Sequence, residues 1–230
     1  MLLKIEAIGK IIDGIDKPGT GPEGISASDK EILVFLKKNL AESKDKEDIF
    51  DVSIDALNRL GYEVSFVAIF REDRKYSSAV RIRVDSELVN RVEDFARKMM
   101  PDMTVMRYRI PIFEEERIFK KFLLEGSKPL ITDNVKVEDK DEVISASISE
   151  LYDNLIPKNS PLAILLPAFK RIVPYKYAMS THIFIEKTAL GNIGLASAKE
   201  LSEEQVNMLL IISEMMAQAL ANIGFGKNYI

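Results

Sequence analysis

The segment Ser202 to Ile223, SEEQVNMLLIISEMMAQALANI, constrains this chain more than any other stretch of it. Ser202 followed three residues later by Gln205 is a capping box, so a helix opens there. Wound at 3.6 residues per turn, Val206, Leu209, Leu210, Ser213, Ala217 and Leu220 form one stripe. Met208, Ile211, Ile212, Met215, Ala219 and Ile223 form a second. A helix that is apolar nearly all round must be covered on both sides. A sheet can take the first stripe. The second needs either another copy of the chain or residues 1–40 folded back over it, and the helix alone does not choose.

Upstream, residues 3–12 fit a strand or a short helix equally well. Residues 13–27 carry Gly14, Pro18, Gly19, Gly21, Pro22 and Gly24 and read as a loop or linker. Ser28 is the expected N-cap of a helix through Leu40, with Ile32, Leu33, Leu36 and Leu40 on one face. After the charged break SKDKED, a second helix over 47–60 ends at Gly61 and turns Ile49, Phe50, Ile54 and Leu57 inward. Val64 to Phe70 then reads as a strand, REDRK as a hairpin turn, and Tyr76 to Val84 as its partner. The pattern continues with a helix at 86–99, a strand from Thr104 to Ile112, a helix at 113–126 and a short strand from Pro129 to Thr132. Residues 137–172 read as mostly helical, broken around Pro157 to Pro161. Tyr177 to Glu186 and Ala189 to Ser197 form a last hairpin.

A chain of 230 residues has room for one large domain, or an ordinary domain with an extension, and a sizeable core. Cysteine is absent, which removes disulfides, thiolate catalysis, Cys-ligated zinc and iron–sulfur clusters together. Net charge is −4 with both signs interleaved, so no nucleic-acid footprint stands out. No signal peptide and no run of membrane-spanning length is legible, and the expected location is the cytoplasm, without membrane attachment.

Two stretches carry a family resemblance. In IFKKFLLEGSKPLITDNV, Leu124, Gly126, Pro129, Leu130, Ile131 and Asp133 mark a helix, a turn and a strand. Near the other end come Leu190, Gly191, Ile193, Gly194, Leu195 and Ala196, then the SEEQ cap and its helix. Together with the element order over roughly 46–223, these resemble the GAF domain, a small-molecule sensor module of signalling proteins. The resemblance implies an α+β, PAS-related fold with a central antiparallel sheet of five or six strands. It implies terminal helices on one face of that sheet, and a ligand pocket on the other under a helical insert. Residues 1–45 would then be an N-terminal extension and 224–230 a tail. It also implies a dimer of terminal helices, which assigns Met208, Ile211, Ile212, Met215, Ala219 and Ile223 to a homodimer interface.

The departures from the family narrow the ligand. No Cys is present to attach a bilin or to reduce free methionine sulfoxide, and the Asn–Lys–Phe–Asp–Glu signature of cyclic-nucleotide binders is missing. The ligand and any cofactor stay unassigned.

His182 is the only histidine. It shares a strand face with Ala178, Ser180 and Phe184, whereas Met179, Ile183 and Ile185 suit the core. Small neighbours leave space for a ligand, and Phe66 on the first strand joins the candidate lining. Haem ligation by His182 is a weaker reading, drawn from haem-binding family members; a structural histidine is commoner than either. Arg107 and Arg109 alternate with apolar residues on the third strand and could clamp a carboxylate or phosphate. The alternative is an edge strand protected by positive charge. Glu114 to Glu116, and the acidic run EDKDE at 138–142, read as helix starts rather than as acid–base or metal sites. Asp133 reads as a turn residue. Gly19 to Gly24 spells GxGxxG, but its helix begins too late and Pro22 removes an amide, so it reads as a linker.

No catalytic constellation and no metal set emerges. The expectation is a non-catalytic, ligand-responsive regulatory domain, by itself or as the sensor part of a larger protein such as a histidine kinase. Its terminal helices would pass the ligand state to a downstream signalling protein. The alternative is a dimerisation or scaffold module whose pocket is filled.

Overall fold

The computed structural model describes residue 3 and residues 5–16, 25–62, 64–70, 77–84, 143–147, 175–199 and 201–226. Among these residues the order is α1 (Ile5–Gly14), α2 (Ala27–Glu42), α3 (Lys46–Arg59), β1 (Val64–Phe70), β2 (Ser77–Val84), β3 (Val143–Ser147), β4 (Tyr177–Ile185), β5 (Thr188–Ser197) and α4 (Glu203–Asn222). The five described strands form one sheet in the order β2-β1-β5-β4-β3, with every neighbouring pair antiparallel.

Local chemistry sets the helix ends. The α4 capping box forms as its sequence demands, with Ser202 Oγ accepting from the Gln205 amide and the Gln205 side chain accepting from the Ser202 amide. The cap of α2 is Ser26, not Ser28: Ser26 Oγ accepts from the Asp29 amide at 3.1 Å, and Ser28 lies inside the first turn. Asp45 does the same for α3 through the Asp48 amide at 2.9 Å, and Gly61, at φ 89°, turns the chain into β1. Of residues 3–12, which periodicity left open, Ile5 onward is helical, and the helix runs on through Asp13 and Gly14, which were read as loop.

A further expectation fails in the sheet. Residues 143–147 lie in the stretch read as helical, yet they pair with β4 as a strand. From Ile144 to Ser147 apolar and hydroxyl side chains alternate with period two, and the acidic run EDKDE therefore precedes a strand, not a helix. The helices and strands expected over 86–132, and the helical pieces of 148–172, lie outside the described residues.

All four described helices lie on one face of the sheet. Val67, Ile69, Ile183, Ile193 and Leu195 point into that layer, against Ile49, Phe50 and Leu57 of α3 and Leu209, Ile212 and Met216 of α4. A bulge in β5 adds to it. Ile183 pairs with Gly191 and Phe184 with Ala189, so Leu190 is the extra residue and joins the helix-side core. Arg81 of β2 reaches Glu47 and Asp51 of α3 at 2.7 and 2.6 Å, and Arg83 reaches Asp55 at 2.9 Å. Arg59 stacks on Phe35 at 3.7 Å, tying α3 to α2.

The second stripe of α4 is covered within the chain. Met208, Ile211, Ile212, Met215 and Ala219 are buried in one cluster with Ile8, Ile11, Ile12 and Ile15 of α1 and its following turn and Leu33, Leu36 and Leu40 of α2. Of the residues assigned to a homodimer interface only Ile223 is exposed, at 39%. The physical reason is supply: α1 and α2 each present an aliphatic face of their own, and an intramolecular cover needs no second chain. Among the described residues no helix is long and apolar enough to cross a membrane.

Candidate functional site

The opposite face of the sheet has a different composition. Side chains at Cα-paired positions of neighbouring antiparallel strands share a face, so the register reads out rows. Phe66 of β1 pairs with Gly194 of β5, which pairs with Ser180 of β4. One step along, Ala68 pairs with Asn192, which pairs with His182. Phe70, Phe184 and Ala189 pack together beyond them in a cluster separate from the helix-side core. Phe66, Ser180, His182 and Phe184, proposed from sequence, therefore lie together on the face remote from the helices. Arg107 and Arg109 lie outside the described residues.

The centre of this surface is an aromatic cradle for His182. Its ring lies 6.3 Å from Phe70, tilted by 57°, and 5.9 Å from Phe184, edge to face at 84°. His182 and Ser180 are buried, and Phe66 is half-buried. Beside His182 stands Asn192, whose Oδ1 is buried without a hydrogen-bond partner among the described residues. A buried amide oxygen without a donor is costly, and native structures generally satisfy it.

Gly194 accounts for the shape between the two rows. A Cβ there would strike the Phe66 ring and the Met179 carbonyl oxygen, the latter at 2.6 Å. The Phe66 ring thus lies across the β5 backbone, next to Ser180. Gly191 serves packing instead: a Cβ there would meet the Ala68 oxygen and the Ile69 Cα of β1.

The site is joined to the helix layer through backbone. Ser213 Oγ of α4 donates to the His182 carbonyl oxygen at 2.9 Å, in the buried seam between helix and strand. One residue therefore faces the cradle with its side chain and α4 with its carbonyl.

Sequence reasoning missed Asn192 and Phe70. A signal for Asn192 was present: a polar residue between Gly191 and Gly194, in phase with His182 once the hairpin is paired. Phe70 was visible only as the end of a strand. None of the side chains in these rows is a carboxylate, an ammonium or a guanidinium, and among the described residues no group of three or more His, Asp or Glu is placed to hold a metal. The chemistry on offer is an aromatic surface with an imidazole, an amide and a hydroxyl.

No protein-family model matches the sequence, and no curated protein matches it. Solved structures do match in three dimensions. The phycoerythrobilin-bound GAF domain from a cyanobacterial phytochrome superposes with a TM-score of 0.51 at 12% identity, covering 87% of this chain and 98% of that one. Residues 122 to 287 of a methyl-accepting chemotaxis protein give a TM-score of 0.48 at 14% identity, covering 84% of this chain and 98% of that one. The chromophore-binding domain of an unusual bacteriophytochrome from R. palustris gives 0.49 at 12% identity, covering 89% of this chain and 64% of that one. Identities this low speak to fold alone, and the fold of this chain is GAF-like.

Proposed function

We propose that the chain is a non-catalytic regulatory domain that binds a small molecule on the sheet face carrying His182 and Asn192. The reading rests on one observation: a buried imidazole, a buried hydroxyl and a buried amide oxygen share with Phe66, Phe70 and Phe184 the face opposite the helices. Ligand pockets are typically apolar enclosures with a few convergent polar groups, and this surface has that composition. The buried Asn192 oxygen calls for a donor, so the ligand would bring an N–H or O–H. The phytochrome domain of similar fold holds a small molecule, phycoerythrobilin; this chain lacks a Cys to attach one covalently.

Binding would be read out as a change in how α4 sits on β4, because Ser213 holds the carbonyl of the residue whose ring faces the ligand. A downstream signalling protein in the cytoplasm, or a further domain of a longer chain, would receive it. A scaffold reading also has support in the structure, since the Phe66 ring lies across Gly194 and two rings flank His182.

Native mass spectrometry of the purified chain separates the two readings. The sensor reading expects a retained low-mass species, lost in the variant Asn192→Leu while the fold persists by circular dichroism. A chain that carries nothing, and whose melting point no compound in a broad metabolite panel raises, would sink it in favour of the scaffold.

A further inference from the structure

The ends of the α4 layer are fastened in different ways. At the C-terminal end, Phe225 N donates to Leu220 O and Gly224 N to Ala221 O, both at 2.9 Å, with Gly224 at φ 75°. That double bond pattern is a Schellman stop, which ends the helix and turns the chain back. Phe225 then packs edge-on against Phe50 of α3 at 6.3 Å, with Lys46 Nζ 5.7 Å above its ring. This end is closed and bolted to α3.

The cover on the second stripe is slighter. α1 has ten residues and lays Ile8, Ile11 and Ile12, with Ile15 just past its end, into the shared core. Among its polar ties, Leu3 N donates to Asn207 Oδ1 of α4 at 2.9 Å, and Lys37 of α2 donates to the Ile12 carbonyl at 3.0 Å while pairing with Asp16. Helices shorter than about 12 residues are marginal alone in water. Gly9 in its middle weakens it further, and a Cβ there would meet nothing within 4 Å, so no packing demands the glycine. α1 is therefore helical because it is docked.

We propose that α1 is a releasable strap over α4, and that the sheet site reports its state through this strap rather than through the C-terminal end of the helix. Ser213 and Asn207 lie six residues apart on α4, about 9 Å along its axis and about 120° round it. One is bonded to the strand of His182 and the other to the chain entering α1. A shift of α4 on β4 acts directly on the Asn207 tie, while Phe225 and Phe50 hold the far end. Release of α1 uncovers only the part of the α4 surface that α1 covers, since α2 keeps Leu33, Leu36 and Leu40 in the same core. The trigger rests on the sensor reading; the strap itself rests on α1 and its contacts alone.

Hydrogen-exchange mass spectrometry on the full chain tests this. Amides of residues 5–14 should exchange at least about 100-fold faster than those of β1, through an opening that leaves α2, α3 and the sheet protected. Lys37→Ala should speed α1 about fivefold without altering β1, the size expected for one half-exposed charged contact. Gly9→Ala should slow it about fourfold through helix propensity. Ser213→Ala should change the α1 rate if the seam is linked to the strap. Exchange of α1 in step with β1, in the wild type or in Lys37→Ala, would overturn the strap. An α1 rate indifferent to Ser213→Ala would overturn the link. Neither result depends on ligand, so a chain that retains no small molecule fails the sensor reading separately.

Discussion

Ser213 of α4 and His182 of β4 share a hydrogen bond of 2.9 Å that crosses from the helix layer to the strand backbone. A serine in an otherwise aliphatic stripe is explained by it: the hydroxyl is buried, at 4% exposure, and needs a partner. Its neighbour in the seam behaves differently. Thr181 faces the same layer, is fully buried, and its hydroxyl has no partner among the described residues.

The two hydroxyls should respond oppositely to removal. Ser213→Ala deletes a made hydrogen bond and should cost about 1 kcal/mol. Thr181→Val keeps the shape, removes an unsatisfied buried group and should stabilise by about 1 kcal/mol. Urea denaturation at constant slope reads both. Equal signs for the pair would mean that the seam is not organised by the Ser213 bond.

Three glycines should rank in order of what an added methyl meets. At Gly191 it meets the Ala68 oxygen and Ile69 Cα, which cannot yield without parting β1 from β5, so Gly191→Ala should cost more than about 3 kcal/mol. At Gly194 the Phe66 ring can swing but the Met179 carbonyl cannot, and Gly194→Ala should cost about 1–3 kcal/mol. At Gly9 there is open space in mid-helix, and Gly9→Ala should stabilise by about 0.5–1 kcal/mol. Thermal melting of the three variants gives the order.

What the sequence disclosed depended on whether a residue's partner was local. The Ser202–Gln205 box, the strand Val64–Phe70 and the hairpin around Glu186 declare themselves within a few residues, and each stands where it was expected. Ser28 was expected to cap α2, and Ser26 does so instead, because it is Ser26 that reaches the Asp29 amide. VISAS was overshadowed by the acidic run before it, since carboxylates suggest a helix start more loudly than five residues suggest a strand. The second stripe of α4 announced the need for a cover, but supply came from Ile8, Ile11 and Ile12, about 200 residues away in sequence, and periodicity carries no such information. His182 was legible as a lone imidazole on a strand with small neighbours. Asn192 was not, because its meaning comes from the β4–β5 register.

Acid should weaken the clasp between α3 and β2. Burial acts to raise the Asp55 carboxyl, but hydrogen bonds and charge from Arg59 and Arg83 outweigh it and hold it below its ordinary 3.8. A carboxyl depressed in the folded state stabilises above its unfolded value, and that contribution is lost as pH falls through the folded one. These side chains are about one-third to one-half exposed, so the effect is screened and amounts to roughly 0.5–1 kcal/mol. Wild type should therefore lose more stability than Asp55→Asn on going from neutral pH to below 3.8, and the gap should shrink in high salt. A gap that ignores both pH and salt would remove the ion pairs from the account.

Alkali should act through Tyr62. It sits just after α3, buried at 8% exposure, and burial followed by the negative charge of Asp29 pushes its phenol up to about 12. The folded state thus keeps this proton where the unfolded chain, near 10, has released it. The stabilising contribution is whole below pH 10 and is lost progressively as pH rises toward 12, reaching roughly 2 kcal/mol. Tyr62→Phe cannot ionise, so its stability should fall less steeply over that interval even if it starts from a different value. Asp29→Asn should bring the phenol down modestly, because it removes the lesser of the two causes. Denaturation curves at pH 9, 10 and 11 for the three proteins, with tyrosinate absorbance followed in parallel, give slope and titration together. Parallel slopes for wild type and Tyr62→Phe would mean that the phenol reaches water in the folded protein, and that α2 and α3 part near Asp29 before the sheet does.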